Sequence, residues 1–258
     1  MTFLLGNIAK KNRGVKLPMI KTWPIIFNGT SQKANGVNAV AGFDISGFIS
    51  TNSTITFIII PSTRIVGASS IAKTILEFSN LLRSSVHGIY FGNVTAGLTS
   101  EVFTLLSTSN GGTVTVTGFV APTILEVGFY VVSLATDSSG TSIIINGSAA
   151  TTTSGTLTNV INGPTELGLD RLYIGSTSTS ANFGDFTLRE LSFMSRKLSN
   201  AEAISLHGQY LSNPSISVKG LSLYSDANFV ELYTGETLGT TTLLASKSST
   251  RNLILTGF

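Results

Sequence analysis

The chain has 258 residues, of which 42% are hydrophobic and 11% charged, with a formal net charge of +3 and no cysteine. That length and apolar content are enough for one large core, and the lack of cysteine excludes disulfides and thiolate metal sites. The surface must be covered mainly by Ser, Thr, Asn and Gly, and the basic residues are too scattered for a nucleic-acid face, which needs concentrated positive charge.

Residues 1–22 read as an N-terminal arm. Phe3, Leu4, Leu5 and Ile8 are apolar, and Lys10, Lys11 and Arg13, with Lys16 and Lys21, form the one basic concentration. A frayed terminus, a first strand, an anchoring arm and a nucleic-acid arm all fit this pattern. Phe3, Leu4, Leu5, Lys10, Lys11 and Arg13 are the candidates for a contact with a larger assembly. The apolar run at Phe3-Leu4-Leu5 is too short for an export signal, and its positive charges follow rather than precede it. No run reaches the roughly 18 apolar residues that span a bilayer.

A strand over 25–28 is predicted to end in a tight turn at Asn28-Gly29. The run 54–60 is apolar on both faces from Phe57 onward, as expected of a central strand covered on both sides, and Pro61 has no N–H to continue the ladder. Strands follow over 75–78, 87–91, 102–106 and 114–120, with a turn at Asn110-Gly111-Gly112. Two more occupy 129–134 and 143–145, the second closing in the turn Asn146-Gly147. Residues 148–165 are rich in Thr and Ser and read as an exposed loop or irregular edge. A strand at 172–175 leads into a polar loop ending in Phe183-Gly184-Asp185. The next strand alternates Phe186, Leu188, Glu190 and Ser192 against Thr187, Arg189, Leu191 and Phe193. Ser199 and Glu202 have the spacing of a capping box, which starts a helix over 199–211. Short strands over 217–224, 229–233, 241–245 and 252–256 form either a small β-unit or additions to the preceding sheets. The apolar Leu253, Ile254, Leu255 and Phe258 need cover from their own chain or a partner.

Five segments, in this order, resemble concanavalin A-like jelly rolls of the laminin-G-like group. They are Phe27-Asn28-Gly29-Thr30, the run 54–61, the strand from Phe129, Ile145-Asn146-Gly147, and Leu198-Ser199-Asn200-Ala201-Glu202. The resemblance implies an all-β, two-sheet antiparallel jelly-roll sandwich over 23–212 with a short C-terminal helix. The arm (1–22) and a small C-terminal β extension (213–258) lie outside it. Asn28 replaces an Asp of the pattern, Ile58 and Phe129 stand in tryptophan positions, and Ala203 replaces an Ile. The resemblance also raises calcium, with Asp137, Asp170 and Asp185 as loop carboxylates. Calcium takes six to eight oxygens, and nothing in the spacing demands it. Solvated turn aspartates are the simpler reading, and no other cofactor is expected.

Catalytic chemistry is not expected. A glycosidase needs two carboxylates facing one cleft. The nearest pairs are Glu166 with Asp170 and Asp185 with Glu190, and the latter two fall on opposite faces of a regular strand. His87 and His207 read as structural or solvated, and no nucleophile elbow, phosphate loop or zinc pattern is present. Sugar binding needs an aromatic platform beside hydrogen-bonding groups, and Trp23, Tyr90, Tyr173 and Tyr210 are the candidates. Terminal segments around a hydroxyl-rich jelly roll without an export signal lead to a first expectation. It is a non-enzymatic virion structural protein: a phage head fibre, capsid decoration or tail appendage. Its partners would be a capsid or other virion protein, its own copies as a dimer or trimer, and a host-surface glycan, with no nucleic acid and no membrane insertion. The alternative is a bacterial carbohydrate-binding or adhesion module working outside the cell. A glycoside hydrolase is the third reading.

Overall fold

The computed structural model describes residues 24–37, 48, 52–62, 73–80, 86–91, 102–108, 114–120, 129–137, 140–154, 169–177, 179–213, 216, 221, 228–235, 237–238 and 242–258. The arm candidates Phe3, Leu4, Leu5, Lys10, Lys11 and Arg13 lie outside them, as do Trp23, Glu166, the 110–112 turn and most of the strand expected at 217–224.

Numbered in chain order, one sheet contains β1 (Ile25–Asn28), β3 (Ser53–Pro61), β8 (Tyr130–Asp137), β9 (Gly140–Ile145), β10 (Ser148–Ala149), β13 (Asp185–Met194) and β14 (Phe229–Tyr233). Its order is β1-β13-β3-β8-β9-β10, with β14 also paired to β13. The other sheet contains β2 (Lys33–Val37), β4 (Lys73–Ser79), β5 (Val86–Phe91), β6 (Val102–Thr108), β7 (Val114–Val120), β11 (Thr151–Ser154), β12 (Arg171–Ile174), β15 (Thr237–Leu238), β16 (Thr242–Leu243) and β17 (Leu253–Thr256). Its order is β11-β7-β6-β5-β4-β12-β2-β17-β16-β15. The pairings run antiparallel in both sheets. One helix, α1 (Asn200–Ser212), follows β13. The fold is an all-β, two-sheet sandwich, as expected.

The main core lies between the sheets. Phe27, Phe57, Phe78, Leu172, Phe186, Phe193, Tyr233 and Leu253 meet there. A second, smaller core lies on the outer side of the first sheet, where Ile58, Val131 and Ile144 pack against Ala203, Leu206 and Tyr210 of α1. This explains why β3 is apolar on both faces: Phe57 and Ile59 point between the sheets while Ile58 points towards the helix.

One expectation is corrected. In β13 the pairing shifts between Leu188 and Glu190. This bulge inserts one residue and resets the alternation, so Leu188, Leu191 and Phe193 all enter the main core while Glu190 faces α1. Asp185 and Glu190 thus fall on one face rather than opposite ones, yet about 16 Å of strand separates them, too far for a glycosidase pair. In the Thr/Ser-rich segment, residues 148–149 pair with β9 and residues 151–154 pair with β7 of the other sheet. The chain changes sheets at Ala150. Both are edge strands and the β11 pairing is irregular between Thr152 and Ser154, so of the two readings of this segment the irregular edge applies to residues 148–154; threonine suits a pleated strand as well as a loop. Residues 213–258 supply β14 to one sheet and β15, β16 and β17 to the other. Of the two arrangements considered for those strands, the molecule uses additions to the sandwich.

Candidate functional site

His207 and Ser133 form a serine–histidine contact, with Nε2 2.8 Å from Ser133 Oγ. The other ring nitrogen settles its chemistry. Nδ1 accepts from the Gly147 N–H at 3.0 Å, so it carries a lone pair and the proton sits on Nε2. Nε2 therefore donates to Ser133, whose hydroxyl lies 2.8 Å from Thr56 Oγ1. A histidine that donates to a serine cannot take its proton. Burial lowers the His207 pKa to about 4, which keeps the ring neutral. His207 is a buried group pinning α1 to the β9–β10 turn. Tyr210 donates its hydroxyl to Glu190 beneath the same helix. Burial first, and the Glu190 charge second, raise the Tyr210 pKa well above its ordinary value. Tyr210 is thus a core residue and no sugar platform.

The outer face of the ten-stranded sheet is different. Neighbouring strands place Gly88 (β5), Glu77 (β4), Tyr173 (β12), Asn35 (β2) and Ile254 (β17) in one row. Each lies between residues that point into the core, such as Phe78, Leu172, Ile174, Ala34, Leu253 and Leu255, so the row faces outward. It opens along its length: Glu77 is fully buried, Tyr173 is 5% exposed and Ile254 is 49% exposed.

At the closed end Tyr90 donates to Glu77 Oε2 at 2.7 Å. Gly88 makes room for this bond. A Cβ there would lie 2.6 Å from the Tyr90 hydroxyl oxygen and 2.7 Å from its Cε2. Thr74 Oγ1 and Ser79 Oγ, on the same strand as Glu77, are buried without a hydrogen-bond partner. Such hydroxyls cost stability unless water or a ligand satisfies them.

At the centre Tyr173 stands between two cations. Lys33 Nζ is 5.9 Å from its ring centroid. On the other side is Arg171, whose pKa is raised by a side-chain hydrogen bond to Tyr173 and, against desolvation, by the charge of Asp170. The Arg171–Asp170 separation is 3.2 Å. Lys33 is fixed by a second contact, 2.7 Å to Ser180 Oγ. That oxygen belongs to the 175–184 loop, where Ser180 and Asn182 hold φ of 55° and 51°. Left-handed backbone at non-glycine residues is uncommon and concentrates at functional loops. The adjoining turn is organised by Asn28, whose side-chain oxygen accepts from the N–H groups of Thr30, Ser31 and Gln32 at 3.0, 3.0 and 3.3 Å. An aspartate in this place would do the same with a charge, so Asn28 keeps the turn.

The sequence named Tyr90 and Tyr173 as platforms, and the fold brings both to this face. Asn35, Lys33, Ile254 and Arg171 were missed. Their only signal was alternation with core residues in strands too short to read alone. Asp137, Asp170 and Asp185 are not brought together. Asp137 pairs with Lys197 at 3.0 Å, Asp170 pairs with Arg171, and Asp185 opens β13 opposite Asn28. Among the described residues there is no group of three His, Cys, Asp or Glu side chains that could hold a metal ion.

No protein-family model matches the chain, and no curated protein matches it in sequence. Solved structures do match. A candidate carbohydrate-binding protein from Bacteroides ovatus aligns over 91% of this chain with a TM-score of 0.57 and 13% identity. The chain spans 58% of that structure's length. The CBM40 domain of the Ruminococcus gnavus IT-sialidase aligns over 72% of this chain and 99% of its own, with a TM-score of 0.50 and 15% identity. The same domain bound to α2,3-sialyllactose gives a TM-score of 0.51 and 13% identity over 72% of this chain and 99% of its own. The fold is a concanavalin-like β-sandwich. These likenesses carry no link to phage or virion proteins. Among the described residues no helix is long and apolar enough to cross a membrane.

Proposed function

We propose that this chain is a non-enzymatic glycan-binding module that uses the outer face of its ten-stranded sheet. The carrying observation is the row Glu77–Tyr173–Asn35–Ile254, which runs from a buried carboxylate to an exposed apolar side chain. Sugars present hydroxyls that need fixed donors and acceptors, and a C–H face that packs on apolar or aromatic surface. Asn35, Lys33 and Thr256 supply the first, and Ile254 with the edge of Tyr173 supplies the second. The carbohydrate-binding names of two similar folds support this reading, the alternative that the sequence offered, over its first expectation of a virion protein, and an outward setting at a cell surface goes with it. Binding rather than hydrolysis is favoured because the nearest carboxylates on this face, Glu77 and Asp170, are engaged with Tyr90 and Arg171.

A glycan array with the purified chain tests the proposal. Binding to a restricted set of glycans is expected. Asn35→Ala and Ile254→Ala should each lower affinity about tenfold, roughly 1.4 kcal/mol, with unchanged thermal midpoints. Silence across the array, or binding that ignores both substitutions, refutes the assignment of this face.

A further inference from the structure

We infer that the sugar recognised on this face carries a carboxylate, and that Lys33 receives it. The inference rests on the glycan-binding reading and adds the ligand's charge.

Lys33 is half-buried, yet among the described residues it forms no ion pair. Arg171, Arg196, Lys197 and Arg251 each have a carboxylate within 4.0 Å. Arg189 and Lys247 turn instead to backbone carbonyls. Lys33 has one hydroxyl, Ser180 Oγ at 2.7 Å, and the face of Tyr173. An ammonium has three donors. One goes to Ser180, the ring takes part of the charge, and at least one donor stays free beside Asn35 and Thr256. A lysine on solvent-exposed surface holds no fixed position. This one is held from two sides, which removes most of the ordering cost that otherwise weakens a salt bridge.

The charge pattern along the row gives the ligand a direction. Arg171, on one side of Tyr173, is already paired with Asp170, so it does not compete with Lys33 for an acidic group. At the closed end, on the next strand, the Tyr90 hydroxyl already donates to Glu77, so that donor is not open to a ligand acid. The acidic group therefore sits over Lys33 and the neutral hydroxyls extend towards Tyr173 and Ile254. A carboxylate there would replace the water that solvates Lys33 and form a charge-assisted bond. Sialic acids and hexuronic acids share this chemistry.

The probes are α2,3-sialyllactose, an oligogalacturonate and neutral lactose, titrated into the full chain at low and at moderate salt. At least one acidic probe should bind ten times or more tighter than lactose, and the margin should shrink as salt rises. Which acidic probe wins separates a sialic acid from a uronic acid. Lys33→Met should abolish the preference while Lys33→Arg keeps most of it. Circular dichroism of each variant separates lost binding from lost fold. Equal affinity for acidic and neutral probes, or a preference that survives Lys33→Met, overturns the inference and leaves the glycan-binding reading standing. Glycan array hits confined to neutral sugars would do the same. No binding to any glycan defeats both.

Discussion

His207 has its proton on the nitrogen that faces Ser133, and that single placement turns an apparent dyad into a brace. It also makes a pH prediction. Burial depresses the folded pKa from 6.5 to about 4. The unfolded chain therefore binds the proton more readily, and stability rises with pH between those values. The contribution is complete above about 6.5, falls as the pH drops, and is lost below about 4, on the order of 3 kcal/mol in all. The groups facing the ring are Ser133, Thr56 beyond it and the Gly147 N–H. Replacing His207 with Gln should lower stability at neutral pH and flatten the unfolding midpoint between pH 4 and 6.5. A midpoint that keeps its full slope there would place the titration elsewhere. Gly88 offers a second test at this scale. Gly88→Ala would force the Tyr90 ring aside and deprive Glu77 of that hydroxyl. A loss of roughly 1–3 kcal/mol is expected, read by chemical denaturation.

At the scale of elements, α1 is the part most legible beforehand. Ser199 Oγ accepts from the Glu202 N–H at 3.3 Å, and Glu202 Oε2 accepts from the Ser199 N–H at 2.8 Å. That backbone hydrogen bond, against desolvation and with help from the Ser199 hydroxyl and Arg196, lowers the Glu202 pKa. The box therefore weakens as pH falls through that lowered value. Ser199→Ala should cost about 1 kcal/mol, and an unchanged unfolding midpoint would mean that the cap contributes nothing. The turn Asn146-Gly147, with φ of 48° and 82°, was equally legible. The bulge in β13 was not, because an inserted residue leaves no mark in a run where both faces are partly apolar. Nor was the division of the irregular edge at 148–154 into β10 and β11 on different sheets, because these are two and four residues long and too short for periodicity.

Across the whole molecule, one carboxylate ties the two sheets together. Glu231 lies on β14 in the first sheet, fully buried. Its Oε1 accepts from the N–H groups of Leu232 and Lys247 at 2.9 and 2.8 Å, and its Oε2 faces Arg251 at 4.0 Å. Lys247 and Arg251 belong to the segment that leads into β17 of the other sheet. Arg251 also donates to the Val230 carbonyl at 2.7 Å and lies over the Phe48 ring. Glu231→Ala would leave buried donors without an acceptor and Arg251 without its counter-charge. A loss of roughly 3–5 kcal/mol is expected. Calorimetry that shows less than about 1 kcal/mol would mean that the core alone joins the sheets here.

The sequence by itself determined most of the strands, though not β2, β10 or β11, and also where the tight turns at Asn28-Gly29 and Asn146-Gly147 fall, how α1 starts, and that β3 runs through the middle of a sheet. Each of these is local: alternation, a fixed φ or a three-residue spacing encodes it. Only the tertiary structure decided the candidate site. Glu77, Tyr173, Asn35 and Ile254 come from four separate strands. They share a face because β4, β12, β2 and β17 pair in that order and register. Strand order depends on which apolar faces close the common core, and register on the turns and bulges that set each pairing. Lys33 looked like one of many scattered basic residues until Ser180, 147 positions away, was placed beside it.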